Sequence, residues 1–253
     1  MLHGAGFDSS TWSLHSRWFA HHGYNLLAPD LPGHGHSGGK PLGSIAELAD
    51  WTAALIAAAK AADFPAEITV VISNKPDAAG LAKAKENNIT TLVIDSTPFG
   101  KDRAAFEAAL QAALDQHGIE VICLGGFMRL LTTEFVERWA GKMLNIHPSL
   151  LPSFRGLDPH GQALRAGVKI SGATVHFVTP EMDAGPIVMQ GAVAVREDDT
   201  PDTLAARVLD IEHRIYPEAL RLVANGDAHI DNAVCRTAAT GSPDDTLISP
   251  TTI

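Results

Sequence analysis

EVICLGGFMRLLTTEFVERWAGKMLNIHPS, from Glu120 to Ser149, decides how this chain folds. Two short apolar runs, EVICLGG and KMLNIH, flank a helix-like segment, TTEFVERWAG. Thr132 and Thr133 are placed to cap that helix at its start, and Gly141 stands where its C-cap belongs. A strand, a helix and a second strand in succession form the βαβ unit of a parallel sheet. The alternation extends upstream, with ITVVIS before AAGLAKAKEN and TTLVID before RAAFEAALQAALDQHG, which ends at Gly118. The predicted class is therefore α/β.

Downstream of His160 the pattern changes. Two extended runs, ATVHFVT and PIVMQGAVAV, flank the loop MDAGP and predict a pair of antiparallel strands added to the sheet. A long helix follows from Pro201 to Asn225, opened by Thr200 as cap and a proline at its first position. Its stripe of Leu204, Val208, Ile211 and Ile215 has 4-3-4 spacing and is expected to face the core. The remainder, rich in Ser, Thr, Pro and Asp, is expected to lack regular structure, with a tail over residues 231–253. Ahead of the alternating region, residues 1–65 differ in character, with Gly- and His-rich turns (HGAG, DLPGHGHSGG) around the strand-like YNLLAP and the helix-like SIAELADWTAALIAAAKAA. Phe64-Pro65 marks the junction with a second domain over residues 66–230.

Composition excludes several classes. The chain has 253 residues, of which 45% are hydrophobic, enough for a full core and unlike a disordered protein. No apolar run reaches the roughly 18 residues needed to cross a bilayer, and the start lacks the marks of a signal peptide, so a cytoplasmic location with no membrane partner is expected. A net charge of −10 argues against a nucleic-acid partner. Cys123 and Cys235 have no metal-type spacing and are read as reduced and incidental.

The polar residues gather where open parallel sheets bind ligands, at the carboxyl ends of strands. Asn145 and His147 follow one strand, Phe127, Met128 and Arg129 a second, and Asn74 a third. Asn145 and His147 are two apart, so both can point to one side as the chain leaves the sheet. A lone histidine before a proline is ordinarily a core residue. With an amide beside it and a carboxylate at Asp183 in MDAGP, the set instead suits acyl transfer, holding a developing oxyanion and moving a proton. Such chemistry calls for no metal, and the pair His34 and His36 lacks a third ligand nearby in sequence. His176, on the strand ATVHFVT, is read as structural, with lining of the site as the alternative.

ISNKPDAAGLAKA, GGFMRLLT, LNIHPSLLPSFRGL, SGATVHFVTPEMDAGPIVMQ and EHRIYPEALRL stand in an order that closely resembles the glycinamide ribonucleotide formyltransferases, over about residues 66–226. That resemblance implies a Rossmann-like, mostly parallel sheet with helices on both faces and an antiparallel C-terminal strand pair. It also implies transfer of formyl from 10-formyltetrahydrofolate to the primary amine of glycinamide ribonucleotide, a step of purine biosynthesis. Carried over by residue, Asn145 bonds the formyl oxygen, His147 is acid/base and oxyanion stabiliser, and Asp183 pairs with His147. Arg103, Met128, Arg129, Leu130 and Leu131 are implied at the folate, and Glu212, which would hold ribose hydroxyls, and Ile146 at the amine substrate.

The front departs from that pattern. Met1 to about Ala61 resembles an internal piece of an α/β-hydrolase, so the chain looks like a chimera whose β-loop-α piece fills the place of the family's first unit. The turn around His36, Ser37 and Gly38 then stands as candidate phosphate loop. GHSGG also matches the nucleophile-elbow pattern at Ser37, giving esterase activity as the alternative. Against it, Pro29 and Pro32 separate the preceding strand from the serine, and Ser37→Ala discriminates the two. A folded but inactive recombinant would bind folate without turnover. Trp12, Trp18 and Phe19 are expected to pack an amphipathic helix against the sheet; left uncovered, they would promote a homo-oligomer.

Overall fold

The computed structural model describes residues 45–127 and 129–238, with side chains from Trp51 onward. Helix α1, Ile45–Ala59, leads to strand β1, Val70–Ser73. Then follow α2, Ala79–Glu86; β2, Thr90–Val93; a 3-10 turn, Thr97–Phe99; α3, Arg103–Gln116; β3, Ile122–Leu124; α4, Thr133–Arg138; and β4, Met143–His147. The C-terminal part holds α5, Pro159–Ala166; β5, Ile170–Phe177; β6, Ile187–Ala194; α6, Pro201–Ala224; β7, Ala228–Asp231; and β8, Val234–Thr237.

Strands separated by a helix pair in parallel, β1 with β2 and β3 with β4. After β4 the chain turns back, so β5 lies antiparallel to β4 and β6 antiparallel to β5. The four-stranded sheet therefore runs β3-β4-β5-β6. This is the Rossmann-like α/β arrangement with an antiparallel C-terminal pair that the sequence predicts. The strand-like YNLLAP lies outside the described residues.

Helix ends fall where local chemistry puts them. Thr132 caps α4 by accepting from the Phe135 N–H, and Asp102 caps α3 by accepting from Ala105. Thr200 and Thr203 form a reciprocal capping box at the start of α6, with Pro201 at the first position. Gly118 and Gly141, past the ends of α3 and α4, have φ of +61° and +71°.

The main core lies between α6 and the β4-β5-β6 face. Leu204 and Val208 are wholly buried, Ile215 is nearly so, and Ile211 packs partly buried beside them. Each fully buried aliphatic side chain of this size contributes about 1.5–3 kcal/mol of transfer free energy. Leu204 and Val208, supported by Ile215 and the partly buried Ile211, fix the helix across the sheet. Tyr216, on the same helix and 1% exposed, donates its hydroxyl proton to the carbonyl of Leu124, the last residue of β3, at 2.7 Å or to that of Leu144, inside β4, at 3.2 Å. It is buried where β3 ends beside β4.

The region after Asp227 differs from the expectation of no regular structure. Residues 228–237 form the hairpin β7-β8, in which Asp231 pairs with Val234 across a two-residue turn. Asn232 and Ala233 have φ of +48° and +65°, the double positive φ of a type I′ turn. Turn chemistry outweighs polar composition here, and Asn232 is the residue type that tolerates it. Ala228 is buried at 4% and ties the hairpin to the core.

Candidate active site

β4 and β5 carry the site. Their register sets Asn145 opposite His176 and His147 opposite Thr174, and side chains two apart on a strand share a face. Four polar side chains thus stand together on one side of two adjacent strands. Ile146, between them, points the other way and is buried in the core at 4% exposure. Its side chain is therefore turned away from that face, and its backbone is what remains for a role at the amine substrate.

His147 is 7% exposed and has an acceptor at each ring nitrogen. Nε2 lies 3.0 Å from the Phe154 carbonyl, and Nδ1 lies 3.5 Å from Asp183 Oδ2. A neutral imidazole donates to one of these acceptors, and a doubly protonated ring donates to both. Asp183 is itself held, accepting from the Gly156 N–H at 2.9 Å. The loop Phe154–Gly156 thus grips both members of the pair, and Arg155 reinforces it with an ion pair to Glu181 at 3.0 Å.

Backbone strain concentrates at these contacts. Phe154 and Asp183 have φ of +56° and +50°, and Asp158, which caps α5, has +54°. Such angles are uncommon for residues other than glycine and persist where surroundings enforce them. Gly185 shows the tightness of the MDAGP loop, because a Cβ there would lie 1.7 Å from the Phe177 carbonyl oxygen. No side chain fits at that position.

Asn145 is oriented by His176. The His176 Nδ1 lies 3.0 Å from the Phe177 carbonyl, a contact that calls for a proton on Nδ1. Burial pushes this imidazole below its ordinary 6.5, against the opposing pull of the Phe177 carbonyl and Asp183. A neutral ring protonated at Nδ1 leaves Nε2 as an acceptor, and Asn145 Nδ2 donates to it at 3.3 Å. One amide N–H of Asn145 is thereby engaged, and its second is the one that remains for a ligand oxygen. Asp183 Oδ1, 3.9 Å from His176 Nε2, completes the cluster.

Below this layer Thr174 ties the loop after β4 to the sheet. Its hydroxyl donates to the Ser149 carbonyl at 2.7 Å and accepts from the Leu151 N–H at 3.0 Å, while Gln190 on β6 reaches it at 2.9 Å. The Leu151–Pro152 peptide is cis. Sequence reasoning missed Thr174 and Gln190 and left His176 between a structural role and one lining the site. The available signal was the pair of i, i+2 polar positions, Asn145/His147 and Thr174/His176, on runs predicted to be strands. His160, on α5, is pushed below the ordinary 6.5 by burial, and its Nδ1 is buried without a partner.

Of the residues expected at a folate, Arg129 turns its guanidinium over the Phe106 ring at 4.9 Å and donates to the Gly100 carbonyl at 3.3 Å. Its side chain is thus committed to α3 and the turn before it, where Arg103 is the first helical residue and is exposed. Glu107, buried on α3, accepts from the Thr132 N–H at 2.7 Å and from the Thr132 hydroxyl, anchoring the far end of the same loop. Leu130 is 63% exposed and free to meet a ligand, whereas Leu131 packs partly buried against the smaller core. Met128 lies outside the described residues, as do His36, Ser37, Gly38, the pair His34 and His36, and the cluster Trp12, Trp18 and Phe19. Glu212 is 2% exposed on α6 and accepts from the Trp51 indole at 2.8 Å. Among the described residues no group of three His, Cys, Asp or Glu is arranged to hold a metal, and no helix is long and apolar enough to cross a membrane.

A Rossmann-like sheet whose strand ends present an amide, two histidines and a carboxylate corresponds to a known class of acyl-transfer protein. The formyl transferase family matches residues 44–220, and the chain belongs to that family. The match takes in α1, which on sequence grounds was assigned to the hydrolase-like fragment; the chimeric origin read from the stretch ahead of it concerns residues outside those described. Phosphoribosylglycinamide formyltransferase of Escherichia coli is 42% identical over 173 residues, covering 68% of this chain and 81% of that protein. The trifunctional purine biosynthetic protein adenosine-3 of Gallus gallus is 49% identical over 180 residues, 71% of this chain. The chain spans only 18% of the length of that protein. The crystal structure of glycinamide ribonucleotide transformylase 1 from Symbiobacterium toebii superposes with a TM-score of 0.72 at 42% identity, covering 75% of this chain and 89% of that one.

Proposed function

We propose that this chain transfers the formyl group of 10-formyltetrahydrofolate to the primary amine of glycinamide ribonucleotide. The observation that carries the reading is the cluster of Asn145, His147 and His176 on the β4-β5 pair with Asp183 from the loop after β5, within the part of the chain that matches the family. Attack of the amine on the formyl carbon makes a carbon–nitrogen bond and pushes the carbonyl electrons onto oxygen. Asn145 donates its remaining N–H to that oxygen, and His147, held by Phe154 and Asp183, stabilises it electrostatically when its ring carries a second proton. The attacking nitrogen becomes positive and must lose a proton, while the folate nitrogen must gain one as its bond to the formyl carbon breaks. His147, with Asp183 beside it, serves that proton movement.

Arg103, Met128, Arg129, Leu130 and Leu131 are assigned to the folate side, with Arg129 acting through the loop it anchors and Leu130 by direct contact. Glu212 is assigned to the ribose hydroxyls of the amine substrate, and the turn His36 to Gly38 to its phosphate. The phosphate assignment predicts that removing the substrate phosphate weakens binding; equal affinity for both forms counts against it. Transfer itself is tested by following release of tetrahydrofolate from 10-formyltetrahydrofolate with and without glycinamide ribonucleotide. Release that depends on the amine supports the reading, and equal release without it points to hydrolysis.

A further inference from the structure

Three polar side chains from three neighbouring strands form one row across the sheet. The β4-β5 register sets His147 opposite Thr174, and the β5-β6 register sets Thr174 opposite Gln190. Residues directly opposite on paired strands share a face, so Gln190 stands on the side that carries His147 and Asn145. Gln190 is an exposed residue, yet its amide nitrogen reaches two buried groups, donating to the Leu151 carbonyl and to the Thr174 hydroxyl, each at 2.9 Å. A carbonyl only accepts, so the nitrogen of the amide and not its oxygen must face Leu151. Thr174 also accepts from the Leu151 N–H at 3.0 Å and donates to the Ser149 carbonyl at 2.7 Å. With Gln190 on its second lone pair, the hydroxyl has one orientation left. The Ser149 hydroxyl in turn donates to the Ser153 carbonyl at 2.6 Å, and the next carbonyl along, that of Phe154, faces His147 Nε2 at 3.0 Å. Phe154 holds its φ of +56° between this chain of bonds and Gln162, which donates to the Arg155 and Leu157 carbonyls beyond it. Such an angle persists only where the surroundings enforce it.

We propose that Gln190 is a positioning residue of the formyl-transfer site, which acts through Thr174 and the loop 149–153 to fix the Phe154 carbonyl opposite His147 and so to aim the imidazole. This rests on the reading of His147 as the acid/base of formyl transfer. The amide nitrogen of Gln190 is committed to the loop, so its effect reaches the reaction by way of His147. Removal of its two N–H groups takes one donor from the Leu151 carbonyl and one from the Thr174 hydroxyl. The loop then relaxes, Phe154 moves toward ordinary backbone angles, and its carbonyl leaves Nε2.

Gln190→Met keeps the length of the side chain and removes both donors, and Gln190→Glu keeps its shape while setting an acceptor against the Leu151 carbonyl. Nuclear magnetic resonance of the full chain with isotopically labelled histidine reads the imidazoles one by one, that of His147 being identified by its loss in His147→Ala. The His147 Nε2 resonance is expected to shift in both variants, while the signals of His229, on the β7-β8 hairpin, stay in place. kcat for formyl transfer is expected to fall about fivefold in Gln190→Met, the factor of one net hydrogen bond, and further in Gln190→Glu, with KM for both substrates changed less than about twofold. A purely structural contribution would lower the urea midpoint and leave the His147 signal and kcat of the folded protein at their parent values. An unmoved His147 signal in both variants, or parent-level kcat in either, overturns the positioning role. The imidazole measurement needs no turnover. Absence of formyl transfer by the parent, with a His147 signal that moves in the variants, overturns the functional reading and leaves the link from Gln190 to His147 standing.

Discussion

Replacing His176 by Phe removes the acceptor that orients Asn145 while filling the same buried volume on β5. The lost contact is a 3.3 Å amide-to-imidazole bond, at the long end of the range, for which a net value of about 1 kcal/mol is appropriate. Freed of that restraint, the amide samples orientations in which its second N–H no longer faces the formyl oxygen. The expected fall in kcat is therefore roughly 5–10-fold, well short of the 10²–10³-fold that deletion of an oxyanion donor costs. KM for the folate should change less than about twofold, because His176 touches no expected folate residue. The Phe177 carbonyl also loses its donor, so a drop of about 1–3 kcal/mol in unfolding free energy accompanies the change. Stability loss alone would not produce the decisive signature, which is a double-mutant cycle in steady-state formyl transfer. In an Asn145→Ala background the His176→Phe change should cost nothing further in kcat. If the two losses multiply, or if kcat of the single His176→Phe variant stays at the parent value, His176 does not act through Asn145.

Other consequences can be checked separately. Buried His176 and His160 both have depressed proton affinity in the fold, so the unfolded chain binds protons that the folded one refuses as pH drops through 6.5. Urea midpoints should therefore be level above pH 7 and fall between pH 6.5 and the lower folded values, a trend that a flat midpoint down to pH 5.5 would exclude. Gly185→Ala should unseat the MDAGP loop, since its Cβ would lie 1.7 Å from the Phe177 oxygen; kcat should drop at least tenfold, and parent-like turnover would mean that the loop can shift at little cost. Thr200→Ala removes the cap of α6, which makes no contact with Asn145, His147, His176 or Asp183 in the hydrogen bonds and ion pairs described, and should lower unfolding free energy by about 1 kcal/mol with kcat unchanged, as read by urea titration and assay together.

Several elements were legible because local chemistry and periodicity agree. Thr200-Pro201 and the stripe from Leu204 to Ile215 define α6 within one residue, and MLNIH reads as a strand that delivers two polar side chains to one face. The place of His176 was not legible, because it depends on the β4-β5 register, a relation between strands that no single run encodes. The positive φ of Phe154 was likewise hidden, since an aromatic residue gives no local sign of that conformation; it follows from the packing of the loop around His147. Strand alternation sends the Ile146 side chain into the core, so the part of this residue left for the amine substrate is its backbone. The contact between Trp51 and Glu212 joins α1 to α6 and is a product of tertiary packing alone.

The central claim is that Asn145, His147 and Asp183 together move a formyl group between a folate and an amine. Its most direct measurement is kcat for formyl transfer from 10-formyltetrahydrofolate to glycinamide ribonucleotide by the full chain, beside Asn145→Ala, His147→Ala and Asp183→Asn. The asparagine at 183 is the suitable probe, because it tolerates the φ of +50° and removes only the charge. Measurable transfer by the parent, reduced about 10²-fold or more in each variant with secondary structure intact, is the predicted result. Absence of transfer by the folded parent, or turnover that survives all three substitutions, contradicts the account.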